Sequence, residues 1–76
     1  MKKEAKDYAK RAKTIIKTEL VKRDIDYPEL ADMLQKIGIE ENRSNLSNKI
    51  NRGTFSFIFV IQVFEALELN IIKLKD

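Results

Sequence analysis

The chain has 76 residues, with 15 Lys and Arg against 12 Asp and Glu, a formal net charge of +3, and no His, Cys or Trp. A domain of this length buries roughly 60% of the surface its unfolded chain exposes, so the reading is one domain over residues 1–76 with a thin core. Without Cys or His there is no disulfide framework and no ordinary structural zinc site, which leaves helix packing or a partner chain to supply stability and points to a reducing, cytoplasmic compartment.

The first fourteen residues are charged and alanine-rich, and the longest unbroken apolar run, Phe57 to Ile61, is five residues. Neither a secretion signal nor a membrane span is expected. The charge is uneven along the chain: residues 1–23 carry +6, 24–41 carry −5, 42–55 carry +3 and 56–76 carry −1.

In residues 4–22, Ala5, Tyr8, Ala9, Ala12, Ile15, Ile16 and Leu20 recur at helical spacing and predict a first helix. Lys6, Lys10, Lys13 and Lys17 fall in one stripe on the opposite side, either a solvated face or an attraction for phosphate. Glu19 lands inside the apolar arc, where an unpaired carboxylate is costly, so Arg23 or Arg52 is expected beside it unless the helix end frays. Asp26 then reads as the N-cap of a second helix, with Pro28 in its first turn, Glu29 completing a capping box, and Ile25 and Leu30 forming a hydrophobic staple. That helix runs through Leu30, Ala31, Met33, Leu34 and Ile37 to Gly38, a left-handed C-terminal stop.

Residues 42–53 are predicted to form a third helix, capped by Asn42 and ended by Gly53. Only Leu46 and Ile50 within it are apolar; the rest are Asn, Ser, Arg and Lys. Asn and Ser are mediocre helix formers, so this composition is poorly explained by stability and well explained by hydrogen bonding to base edges and phosphates. A polar connector with two anchoring aliphatics is the other reading. In residues 54–69, Phe55, Phe57, Phe59, Ile61 and Val63 alternate like a strand, but Ser56 as a cap, with Phe55 and Val60 as a staple, favours a helix. Its core face is expected to hold Phe59, Val60, Val63, Ala66 and Leu67. Phe57, Ile58 and Ile61 are left exposed on another face, the mark of an interface. Residues 70–76 supply Ile71, Ile72 and Leu74 for a closing turn or a short pairing strand.

In this order the parts resemble the helix-turn-helix domains of the phage lambda repressor and Cro group. The resemblance covers roughly residues 16–74 and is carried by Leu30-Ala31, Leu46-Ser47, Gly53 and Ala66-Leu67. Ser44 through Gly53 looks like a Cro-type recognition helix, and Arg52-Gly53-Thr54-Phe55-Ser56 is similar to a segment of a small bacterial domain family of unassigned function. Ala31 and Leu46 stand fifteen residues apart, wider than is usual in that fold group, so the second helix, the turn, or both are longer. The resemblance implies an all-α fold of four to five short helices containing a helix-turn-helix. It also implies double-stranded DNA as partner and transcription regulation as role.

Carried over residue by residue, Arg43, Ser44, Ser47 and Asn48 face the major groove, with Arg43 suited to guanine and Asn48 to adenine. Asn42, Lys49, Arg52 and Thr54 are the phosphate candidates, while Leu46 and Ile50 anchor the helix. A homodimer is expected through Phe57, Ile58 and Ile61, because two-fold DNA readers place their helices about 34 Å apart. The alternative is a helical protein-interaction module without DNA binding. No enzyme, cofactor, metal or small-molecule substrate is expected: His is absent, no base stands beside the serines, and no phosphate-cradling loop is present. Membrane-surface binding is disfavoured by the alanine-rich apolar face of the first helix.

Overall fold

The computed structural model describes residues 8–74 and contains α1 (Tyr8–Lys22), α2 (Tyr27–Lys36), α3 (Arg43–Arg52) and α4 (Phe57–Ala66). No strand occurs among the described residues, which resolves the ambiguity of the Phe-rich segment in favour of a helix. Residues 4–7 of the predicted first helix, Lys6 among them, lie outside the described residues.

The helices α2, α3 and α4 each start where a side-chain oxygen satisfies an orphan backbone donor. Asp26 Oδ1 accepts the Glu29 N–H at 2.9 Å, Asn42 Oδ1 accepts the Asn45 N–H at 2.8 Å, and Ser56 Oγ accepts the Phe59 N–H at 3.1 Å. All three caps are those the sequence predicts; of the two reciprocal bonds of a capping box at Asp26, this is the one formed. Three helices end in the same way, with paired 6→1 and 5→2 bonds around a left-handed residue. The Ile25 N–H reaches the Leu20 carbonyl at 2.9 Å, Ile39 reaches Leu34 at 2.9 Å, and Leu69 reaches Phe64 at 2.8 Å. The left-handed residue is Asp24, Gly38 and Glu68 in turn. In each case the donor's apolar side chain folds back onto the core that holds the acceptor's.

The core comprises Ile16 and Leu20 of α1, Leu30, Ala31 and Leu34 of α2, Leu46 and Ile50 of α3, and Phe59, Val63, Phe64 and the adjoining Leu67 of α4. The second helix packs on both α3 and α4, and α1 packs on α3. Three expectations need correction. Phe64 is buried although it lies off the predicted core face of α4, because the chain after α4 turns back and covers it with Leu69 and Ile72. Residues 70–74 form neither a helical turn nor a strand; Ile72 is half-buried while Ile71 and Leu74 are exposed. Tyr8, placed by periodicity on the apolar face, is exposed, with the Arg11 guanidinium 5.6 Å from its ring centroid. Glu19 does find its cation: Arg23 Nη1 is 2.6 Å from Glu19 Oε1. No helix among the described residues is long and apolar enough to cross a membrane.

Gly53 fixes how α3 meets α1. It has φ 72°, and a Cβ there would collide with the carbonyl oxygen of Ala9 and lie 2.8 Å from its carbonyl carbon. Gly38 also has positive φ, but nothing lies within 4 Å of a Cβ placed on it. Gly38→Ala is therefore expected to cost only the left-handed penalty of about 1–2 kcal/mol. Gly53→Ala adds a backbone clash and is expected to cost clearly more, a ranking that urea denaturation of the two variants checks.

Candidate nucleic-acid interface

The third helix is ten residues long, and only Leu46 and Ile50 are buried in it. They sit four apart and hold one side of the helix to the core. Ser44, Asn48 and Arg52, also spaced by four, run along the opposite side and are all exposed, together with Arg43, Asn45 and Asn51. No carboxylate occurs in α3. Ser47, half-buried at the flank, accepts a bond from Asn51 Nδ2 at 3.2 Å.

All four residues predicted to read bases come together. Arg43, Ser44, Ser47 and Asn48 line one open cleft of about 370 Å³ between the start of α2 and the first half of α3, closed on the other side by Asp26, Tyr27 and Pro28. Asp26 is held there by its capping bond to α2. Burial pushes the Tyr27 phenol above its ordinary pKa, and its hydroxyl can donate a hydrogen bond into the cleft. Tyr27 and Asp26 also border a smaller groove that reaches Lys17 of α1. The described part of the lysine stripe, Lys10, Lys13 and Lys17, thus leads toward the same junction.

The phosphate candidates divide. Arg52 and Thr54 are exposed near the end of α3, and Asn42 is exposed at its start with its side-chain carbonyl committed to the cap. Lys49 is paired within the fold while its side chain stays 40% exposed: its Nζ lies 2.6 Å from Glu41 Oε2 and 4.7 Å from the Phe59 ring centroid. Its charge is thereby spent on a carboxylate whose side chain is only 9% exposed. The same contact neutralises one of the two acids, Glu40 and Glu41, that precede α3; Glu40 stays exposed.

Three residues of the site escaped the sequence reading. Asn51 is four residues from Ser47, a spacing that could have revealed it, and Asn45 lies one turn before Asn48 on the same exposed side. Tyr27 gave no signal, since only the packing of α2 against α3 brings it to the cleft. The spacing between Ala31 and Leu46 is also explained: α2 ends at Lys36, and the extra residues form a six-residue link before Arg43.

The chain belongs to the family described as Domain of unknown function (DUF6471), whose model matches residues 8–72. The match spans all four helices, so the cleft, the Glu41–Lys49 pair and the Gly53 contact all fall within the family domain. No curated protein and no solved structure matches the chain.

Lys49→Met keeps the aliphatic stem but leaves the Glu41 carboxylate without its cation. It is expected to destabilise by about 1–3 kcal/mol. Adding Glu41→Gln should restore most of that loss, because both charges are then gone. A double-mutant cycle by thermal denaturation measures the coupling.

Proposed function

We propose that the domain binds double-stranded DNA in a sequence-dependent way and serves as a small transcription regulator of the lambda repressor and Cro helix-turn-helix type, with α3 in the major groove. The observation that carries this reading is the exposed side of α3: hydrogen-bonding side chains, an arginine at each end, and no anion. Asn and Ser are poor choices for a solvated helix that needs only to be stable. They are good choices for donating to and accepting from base edges.

In this reading Arg43 pairs with the two acceptors of guanine, Asn48 with the acceptor and donor of adenine, and Ser44 and Ser47 bond to neighbouring edges. Arg52, Thr54 and Asn42 set the register through phosphates, and the Tyr27 hydroxyl is a further phosphate donor from the start of α2. Lys49 holds the flank of α3 to the protein instead of meeting the nucleic acid. Glu29 and Asp32 are exposed on α2, and their repulsion favours an approach over the α3 side and the α1 lysines. The long link between α2 and α3 has its Glu41 tied to Lys49, while Glu40 borders an open cleft with Asn45.

Selection from a random duplex library at about 0.1 M salt, where electrostatic binding is neither saturated nor abolished, is expected to recover a defined half-site. Against that site, Arg43→Ala and Asn48→Ala should each relax preference at one base position by about 1–3 kcal/mol, whereas Arg52→Ala should weaken all sequences alike. Unchanged affinity and preference in Arg43→Ala would remove α3 as the reading helix. If the library returns no enriched sequence and no salt-dependent binding, the protein-interaction module becomes the better reading.

A further inference from the structure

Phe57, Ile58 and Ile61 are 65%, 68% and 48% exposed on the side of α4 that faces away from the core. At the other end of the same helix, Ile61, Phe64, Glu65, Glu68 and Leu69 line an open trough of about 520 Å³. The helix therefore carries an uncovered aromatic knob at its start and a partly apolar hollow at its end. Phe57, Ile61 and Glu65 lie in one row, four residues apart, so Ile61 is midway between knob and hollow.

We infer that two copies of this chain pair through antiparallel α4 helices centred on Ile61, with Phe57 of each copy seated in the trough beside Glu65 of the other. A two-fold axis through Ile61 makes both insertions at once and closes the assembly as a dimer, because each copy supplies one knob and one hollow. The charges of α4 require the same orientation. The helix has no acidic residue in its first turn and no basic residue in its last, and Glu65 and Glu68 stand at its negative end. No acid of α4 itself stands at its positive end: Ser56 satisfies the Phe59 N–H, while the earlier donors of the turn have no intrahelical acceptor. Antiparallel pairing carries Glu65 and Glu68 of one copy to that end of the other. Parallel pairing would set Glu65 against Glu65 and leave both hollows empty. The dimer rests on α4 alone and stands or falls separately from DNA binding.

The sequence has no Cys, so single cysteines introduced into the full chain report proximity without background. Ile61→Cys is expected to cross-link to itself on oxidation, since facing positions at the axis come within disulfide reach. Phe57→Cys should cross-link with Glu65→Cys when the two variants are mixed, and only poorly with itself. In sedimentation the wild type should dimerise at micromolar concentration, and Ile61→Glu should raise the dissociation constant roughly tenfold or more. Circular dichroism checks that this variant folds, and Ile58→Glu serves as a second variant at the most exposed position. A monomeric wild type, or a dimer in which Phe57→Cys links to itself as readily as to Glu65→Cys, overturns the inference.

Discussion

Two helices can meet at position 53 only through a glycine. The residue needs a left-handed backbone to end α3, and the space where a Cβ would stand is already filled by the backbone of Ala9. Both demands fall on the same atom, which makes this contact more restrictive than a helix stop alone. It pins the end of α3 to the start of α1, and within four residues Ser56 caps α4. The directions of three helices thus depend on one pinch. With that end fixed, Leu46 and Ile50 are sufficient to orient the remainder of α3, and no other side of the helix has to contribute apolar residues. The polar composition that makes α3 unusual is possible because its placement is decided elsewhere.

The Glu41–Lys49 pair solves a problem that the charge distribution creates. The segment before α3 is acidic and the helix itself is basic, and unpaired acids at its start would favour the helix dipole but repel phosphate. Folding turns Glu41 inward and brings Lys49 to it, with the ammonium over the Phe59 ring. The anion is thereby buried and the cation neutralised beside it, though the lysine side chain stays partly exposed. Arg43 and Arg52 remain outward, and these are the side chains whose planar, bidentate geometry suits guanine and phosphate better than a lysine would. The ammonium is paired with a buried carboxylate at the flank of the helix, and the guanidiniums are exposed.

The local boundaries of this fold were legible wherever a single residue carries the signal. Asp26, Asn42 and Ser56 each cap a helix through their own side chains, and Gly38 and Gly53 adopt the left-handed geometry that ends one. The stops at Asp24 and Glu68 left no such trace, because neither residue announces positive φ; there the folded-back Ile25 and Leu69 hold the geometry by burial, which only the tertiary structure supplies. The same limit explains Phe64. Helical periodicity finds the face that meets one neighbour, but α4 is covered from two directions, by α2 and by the returning chain at Leu69 and Ile72. Tyr8 fails in the opposite sense, since its place on the wheel is apolar but none of the described elements covers it. For the site, composition identified α3 and its exposed residues, while the pairing of Lys49 and the arrival of Tyr27 depend on contacts between segments and could not be read locally.

A ten-residue helix rich in Asn and Ser would not persist alone in water, where isolated helices shorter than about 12–15 residues are marginal even with favourable composition. Here the ordering of α3 is completed by the fold: a cap at Asn42, two buried aliphatics, the Glu41 tether and the Gly53 pinch act on four successive parts of the same short helix. The backbone entropy of α3 is consequently lost on folding, and its exposed side chains are held on an already ordered helix. The fourth helix has the converse character. Its sequence is apolar nearly all round; the core fully buries Phe59, Val63 and Phe64 and half-buries Val60 and Ala66, which leaves Phe57, Ile58 and Ile61 exposed. In one helix polarity exceeds what stability requires, and in the next apolarity does. Both excesses are directed outward, on α3 as exposed hydrogen-bonding groups and on α4 as exposed apolar side chains.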